Sequence, residues 1–143
     1  MPRLTALAVT GCLLAFGAAG AAAAPGNGAR DAILAGFAAE ARAADPGFAG
    51  FAAARGEALF RARQSGGRAE TPSCTTCHTE DPTRPGQTRA GKEIEPMAVS
   101  KTPDRFTDPE KVAKWLGRNC NSVLGRPCTA TEKGDVLTFL SGR

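Results

Sequence analysis

The strongest chemical signal in this chain is a pair of cysteines followed by a histidine: Cys74, Cys77 and His78. Cys-x-x-Cys-His is the attachment signature of c-type haem. The two thiols can reach the two vinyl groups of one porphyrin, and the adjacent imidazole then comes under the iron as the usual proximal ligand. His78 is the only histidine of the sequence, so no second imidazole competes for the iron. The motif therefore predicts one covalent haem c with His78 as an axial ligand.

A Cys-x-x-Cys pair has other uses, which the sequence leaves open. A thioredoxin-like redox pair needs a βαβ setting, and the helical patterns of this chain do not provide one. A structural zinc site needs a second pair of ligands. Cys120 and Cys128 could supply that pair, although their spacing of eight residues is unlike that of a zinc knuckle. The sequence thus favours haem over zinc or a bare disulfide.

Met97 is the first candidate for the sixth iron position, because it is the only methionine besides Met1. Methionine–histidine ligation is the common arrangement in electron carriers. However, Met97 follows His78 by only 19 positions, and two predicted helices still follow it. In ordinary small cytochromes c the ligand methionine usually comes in a loop shortly before the last helix. We therefore favour Met97 as a residue that packs on the haem edge.

Asn119 is the second candidate. It follows Val112 by seven positions and Trp115 by four, so the three side chains share one helical face. That face is apolar, and we expect Asn119 to point into the core. A buried amide without a partner costs about 1–3 kcal/mol, and iron would be such a partner. The alternative is an asparagine at a helix C-terminus that bonds to backbone, which the spacing alone favours. Asn121 is expected to face solvent.

The elements that must position these residues are helices. The sequence predicts helices over residues 31–44 and 49–64, loops over 65–73 and 79–105, and two further helices that open at Thr107 and Thr129. Each of the last two starts is a capping box, because Glu110 or Glu132 stands three residues later. Neither a strand pattern nor an internal repeat is evident. The predicted class is all-α.

Residues 1–24 are predicted to be a secretory signal peptide. Arg3 gives a positive start, residues 4–16 are apolar and uncharged, and small residues follow as cleavage points. The apolar run is short for a membrane anchor, so we expect a periplasmic mature chain without stable membrane insertion. Cys12 is interpreted as a residue of the signal peptide without a function of its own. The predicted division is a signal peptide over 1–24, a partly helical N-terminal extension over 25–48 and a cytochrome c domain over 49–143.

The charge balance argues against nucleic acid as a partner. Loss of residues 1–24 would leave 17 basic and 14 acidic side chains. The chain has one tryptophan, no tyrosine and no run of lysine or arginine. It therefore offers neither a basic stripe nor a stacking platform.

An exported protein can form disulfides, and Cys120 and Cys128 are available for one. A bridge between them would tie the third helix to the cap of the last helix. A loop this short predicts roughly 2–3 kcal/mol of stabilisation from chain entropy. We therefore expect this bridge rather than two free thiols.

These motifs together resemble the SHP (sphaeroides haem protein) family of oxygen-binding cytochromes c. The resemblance runs from about Phe51 to Leu140, and its most specific part is Asn119-Cys120 with Cys128 eight residues later. Cytochrome c″ shares the frame but has a histidine where this chain has Asn119. The residues that carry the resemblance are Cys74-Thr75-Thr76-Cys77-His78, Arg105-Phe106-Thr107-Asp108, Asn119-Cys120, Cys128 and Glu132-Lys133-Gly134-Asp135.

The resemblance implies a class I-like cytochrome c fold with His78 and Asn119 as axial ligands. In that family the asparagine leaves the iron on reduction, and the opened site binds oxygen, nitric oxide or carbon monoxide. The electron donor is typically a dihaem cytochrome. A neutral amide oxygen is a hard, weak ligand that suits ferric better than ferrous iron. The resemblance thus implies a ligand-switching, gas-binding redox protein.

Two rival functions remain at this point. One is a plain electron carrier with Met97 on the iron. The other is an enzyme that reduces oxygen or converts nitric oxide, which ranks third because the sequence offers no evident proton-delivering group near the haem. A redox and gas-binding protein is favoured over an enzyme.

Overall fold

The computed structural model describes residues 27–143, so the predicted signal peptide and Cys12 lie outside the described residues. The described chain is mostly helical, as predicted. A short antiparallel pair of strands, Gly86–Gln87 and Glu93–Ile94, was not predicted; in it Gly86 is paired with Ile94. The elements are α1 (Gly28–Ala44), α2 (Ala53–Arg61), α3 (Thr75–His78), β1 (Gly86–Gln87), β2 (Glu93–Ile94), α4 (Pro109–Leu124) and α5 (Ala130–Ser141).

The first two helices differ from the prediction at their ends. α1 begins three residues early because Asn27 caps it, and its side chain accepts a hydrogen bond from Ala29 N at 3.1 Å. α2 is shorter than the predicted 49–64. Residues 49–52 are not helical, and the amide of Ala52 donates to the Asp135 carboxylate at 2.7 Å instead of joining a helix.

The cap predicted for α4 is wrong by one residue. Asp108, not Thr107, is the N-cap, and its carboxylate accepts from Lys111 N at 3.0 Å. This hydrogen bond is the main reason why the pKa of Asp108 is lowered. The Thr107 hydroxyl donates instead to the carbonyl of Asp104. Aspartate is as good a cap as threonine, and Pro109 then takes the first helical position, where its missing N–H costs nothing.

The hydrophobic core forms where α5 packs against α2 and α1. Phe60 of α2 and Phe139 of α5 are buried, with ring centroids 5.7 Å apart. Gly56 allows the close approach of α2 to α5, because a Cβ there would collide with the backbone of Asp135. The buried Asp135 carboxylate accepts from Arg55 at 2.7 Å, which links the two helices again.

α1, within the region predicted as an extension, is joined to the rest of the chain in two ways. It packs against α5, and the buried Arg30 crosses to the loop before α4. The Arg30 guanidinium donates to the carbonyls of Pro103 and Arg105 at 2.6 and 2.9 Å. Among residues 27–143, no helix combines the length and apolarity that crossing a membrane requires.

Candidate functional site

The Cys-x-x-Cys-His segment folds as a single helical turn, α3. Its start is held by Ser73, whose hydroxyl is within 2.8 Å of Thr75 Oγ1 and 3.2 Å of Thr76 Oγ1. The amide of His78 bonds back to the carbonyl of Cys74 at 3.1 Å. Thr79 ends the turn with a φ of 62°, a value that side-chain-bearing residues rarely adopt. The turn directs Cys74, Cys77 and His78 toward one cavity.

This cavity has a volume of about 120 Å³ and is partly open to solvent. Apolar side chains from α2, α4 and α5 form most of its wall, so it offers the dry surroundings that a large flat apolar group requires. Every site residue predicted from the sequence lies on it. The lining comprises Leu59, Phe60, Thr71, Ser73, Cys74, Cys77, His78, Met97, Phe106, Leu116, Asn119, Cys120, Ser122, Val123, Leu124, Cys128, Glu132, Val136, Leu137 and Leu140.

The imidazole of His78 lines the cavity and is only partly satisfied by the protein. Its Nδ1 is buried and has no hydrogen-bond partner among the described residues. Burial, with a smaller contribution from the positive charge of Arg105, lowers the pKa of His78 to about 4. The imidazole is therefore neutral near pH 7, which is the form that binds a metal.

The two cysteines of the motif are unpaired in this structure. Burial is the main cause that raises the pKa of the Cys74 thiol to about 11. A protonated thiol is a poor nucleophile in disulfide exchange, so its surroundings do not favour thioredoxin-like chemistry. The zinc alternative also lacks its second pair of ligands, because Cys120 and Cys128 are joined to each other.

Asn119 faces the cavity from α4 and is half-buried. Within residues 27–143 its side chain makes no hydrogen bond to a backbone group. The asparagine that does so is Asn121, which is exposed and donates to the carbonyl of Gly117 at 2.7 Å. The hydrogen bond from an asparagine side chain to the helix backbone, which was the alternative for Asn119, is therefore made by Asn121. Asn119 has a free amide on the cavity wall.

Met97 also reaches the cavity. It packs against the cluster of Phe60, Phe139 and Leu140, as a residue at the edge of a cofactor would. The structure thus brings both candidates for the sixth position, Met97 and Asn119, to the same cavity as His78.

The structure joins Cys120 to Cys128, with their Cα atoms 5.5 Å apart. Gly125, which lies between them, ends α4 in the left-handed conformation with a φ of 71°. The bridge is part of the cavity wall and directly follows Asn119 in the chain.

Trp115 was predicted on the buried face of α4, and this is wrong: it is 52% exposed. The buried residues of α4 are Val112, Cys120 and Val123. At 100° per residue, Trp115 stands about 95° from the middle of that stripe, so it falls outside the buried face.

Phe106 is a site residue that the sequence motifs did not assign. Its ring lines the cavity, and its φ is 62°, which is costly for a bulky side chain. The hydrogen bonds from Arg30 hold the residue before it, and the Arg105 side chain donates to the carbonyls of Glu95 and Pro96. No local sequence pattern encodes this conformation, because its partners come from α1 and from a distant loop.

Comparison with known families and proteins agrees with this geometry. A family model described as a domain of unknown function (DUF1924) matches residues 46–140. The cytochrome c-type protein SHP of Cereibacter sphaeroides is 64% identical over 91 residues, which cover 64% of this chain and 70% of that protein. Cytochrome c″ of Methylophilus methylotrophus is 31% identical over 101 residues, which cover 70% of each chain.

Solved structures show the same fold. Oxidized SHP, an oxygen-binding cytochrome c, superimposes with a TM-score of 0.74 and 55% identity, over 80% of this chain and 96% of that chain. Oxidized cytochrome c″ from Methylophilus methylotrophus gives a TM-score of 0.66 and 26% identity, over 79% and 93% of the two chains. The predicted class I-like cytochrome c fold is confirmed.

Proposed function

The chain belongs to the family of SHP-type cytochromes c, and from that premise we propose that it is an exported monohaem protein that binds diatomic gases when reduced. Asn119 is the labile ligand that leaves the iron on reduction, and a partner cytochrome, such as a dihaem one, supplies the electron. The mature chain works in the periplasm. The observation that supports the proposal most is that Asn119, His78 and the two unpaired cysteines line the same cavity.

The side chains of the cavity fit a covalent haem. Cys74 and Cys77 are free to form thioethers, and neutral His78 has a buried nitrogen without a partner. The haem, when bound, supplies a one-electron centre whose iron can take a gas molecule. The protein provides two anchoring sulfurs, one strong nitrogen ligand and a dry wall built from apolar side chains of α2 and α5.

Asn119 offers a weak sixth ligand, which can leave the iron on reduction. An amide oxygen is neutral and hard, so it suits ferric iron and is easily displaced from ferrous iron. α4 holds this side chain on the cavity wall, and the Cys120–Cys128 bridge fixes the helix just beyond it. The amide therefore remains close by after release, and its N–H groups are available to donate a hydrogen bond to a bound diatomic molecule.

A second candidate function is a plain electron carrier with Met97 as sixth ligand. Its support is the position of Met97 on the same cavity wall. A thioether binds ferrous iron well, so such a protein would remain six-coordinate and low-spin after reduction and would resist gas binding.

Optical spectra with carbon monoxide distinguish the two functions. We expect the reduced protein to be high-spin and to bind carbon monoxide rapidly and stoichiometrically. Met97→Leu should leave both properties unchanged, because Met97 only packs at the edge. A low-spin ferrous spectrum that carbon monoxide does not alter, together with a sulfur-to-iron charge-transfer band in the ferric protein, would contradict the proposal and favour Met97.

A further inference from the structure

The outer side of α4 carries a cationic aromatic patch, formed by Lys111, Lys114, Trp115 and Arg118. These residues are exposed and follow each other at spacings of three and four, so they share one helical face. Trp115 is the only large hydrophobic residue in the described part of the chain that is exposed to this degree. Trp115 does not line the cavity, so a group bound in the cavity would not cover its side chain.

Two cations flank the Trp115 ring. Lys114 Nζ lies 5.8 Å and Arg118 Cζ 5.5 Å from the ring centroid. Neither of them forms an ion pair with a carboxylate among residues 27–143, whereas Lys111 pairs with Asp108 at 3.3 Å. The patch therefore presents positive charge, which the described residues do not neutralise, around an aromatic ring that is about half exposed.

This composition is that of a protein-docking surface. Tryptophan and arginine are the residues that most often dominate binding at protein interfaces, and the charges around them steer a partner of opposite sign. The patch lies on the same helix as Asn119, one turn away from it, while the neighbouring Leu116 lines the cavity. A protein bound there would be separated from the cavity by about the thickness of one helix, roughly 10 Å.

We propose that this patch docks an electron-transfer protein with an acidic surface, which reduces the haem from this side. The inference rests on the proposed function, because it presupposes a redox-active haem in the cavity. The step is a single electron transfer: the partner's redox centre loses one electron, the ferric haem becomes ferrous, and no bond forms. Charge complementarity points to this partner, since carboxylates on its surface would be steered toward the unpaired cations of the patch.

Stopped-flow reduction of the ferric holoprotein by reduced flavodoxin, an acidic one-electron carrier, tests this under anaerobic conditions. At low ionic strength we expect Lys114→Glu and Arg118→Glu each to lower the second-order rate constant at least about threefold, since each reverses a steering charge. Trp115→Ala should weaken complex formation about fivefold. The differences between the charge variants should vanish near about 0.5 M salt, where the Debye length is only a few ångströms.

Lys101→Glu is the matched control, because it makes the same change of net charge at an exposed loop residue outside the patch. If this control slows reduction as much as Lys114→Glu does, the effect is one of net charge and the docking surface is overturned. Equal rates for all variants also overturn it. Binding of the patch to phosphatidylglycerol vesicles, without any effect on reduction, would assign it to a membrane surface and overturn it as well.

Failure of the proposed function gives a different result. In that case the wild-type protein itself would not bind carbon monoxide, and the patch variants would be irrelevant to that outcome. If only the docking inference fails, all variants keep the wild-type ferric spectrum and carbon monoxide binding, and only the expected rate differences are missing.

Discussion

Cys120 and Cys128 join the last turn of α4 to the residue that precedes the cap of α5, with their Cα atoms 5.5 Å apart. Because α5 packs on α2 and α1, this bridge connects the helix that carries Asn119 to the hydrophobic core. A second attachment lies nearby, where the amide of Arg68 donates to the carbonyl of Ser122 at 2.7 Å. The end of α4 beside the cavity is thus held from two sides.

Removal of the disulfide should destabilise the protein without unfolding it. For Cys120→Ala combined with Cys128→Ala, we expect the free energy of unfolding to fall by roughly 2–3 kcal/mol, because the unfolded chain regains the entropy of an open loop. Urea denaturation followed by far-UV circular dichroism measures this. The wild-type protein in excess reductant is the control and should shift similarly. An unchanged urea midpoint in the double variant would contradict a stabilising role.

Arg30 should matter more for stability than an exposed arginine of the same helix. Arg30→Gln removes the buried guanidinium and its part-buried hydrogen bonds to the carbonyls of Pro103 and Arg105. We expect a loss of about 1–3 kcal/mol. Arg42→Gln is the matched control, because Arg42 is exposed and contacts only the Phe48 ring at 5.7 Å. Equal urea midpoints for the two variants would contradict a special contribution of Arg30.

The Arg126–Glu132 pair should make part of the stability depend on pH. The hydrogen bond from Arg126 is the main cause that lowers the pKa of Glu132 below its usual 4.5, and burial opposes it. A carboxylate with a lowered pKa stabilises the folded state above its unfolded pKa, and this contribution is lost as the pH falls through the folded value. The stability difference between wild type and Arg126→Gln should therefore be constant above about pH 5.5 and shrink toward pH 3.

Urea denaturation at a series of pH values, with Arg89→Gln as control, measures this difference. Arg89 pairs with Glu70, and both side chains are largely exposed, so this variant should differ little from wild type at any pH. A difference between wild type and Arg126→Gln that stays the same from pH 7 to pH 3 would show that the ion pair does not contribute through the Glu132 carboxylate.

The family, the all-α class and the fold could be predicted from the sequence, because short motifs carry them. The capping box at Thr129 and Glu132 is confirmed, since two hydrogen bonds within four residues determine it. The prediction of Thr107 as the N-cap of α4 was wrong by one residue, because neighbouring polar residues can each cap a helix. The prediction that Trp115 is buried was also wrong, because a change of a few tens of degrees moves a side chain off the buried face of a helix. The pairing of β1 with β2 has no sequence signal, as each strand has only two residues.

The residues of the site divide in the same way. Cys74, Cys77 and His78 fall within five residues, so the motif alone predicts their chemistry. The structure brings Asn119 and Met97 to the same cavity. The conformation of Phe106 depends on Arg30, 76 positions earlier in the chain. Contacts at that distance in sequence depend on the whole fold and leave no local pattern.

The ferric absorption and electron paramagnetic resonance spectra of Asn119→Ala show whether Asn119 is the sixth iron ligand. Met97→Leu is the control variant, measured at the same pH. We expect that loss of the amide oxygen makes the ferric haem of Asn119→Ala high-spin, while Met97→Leu keeps the wild-type spectrum. If Asn119→Ala has the wild-type ferric spectrum, Asn119 is not on the iron, and a change confined to Met97→Leu would give the sixth position to the methionine.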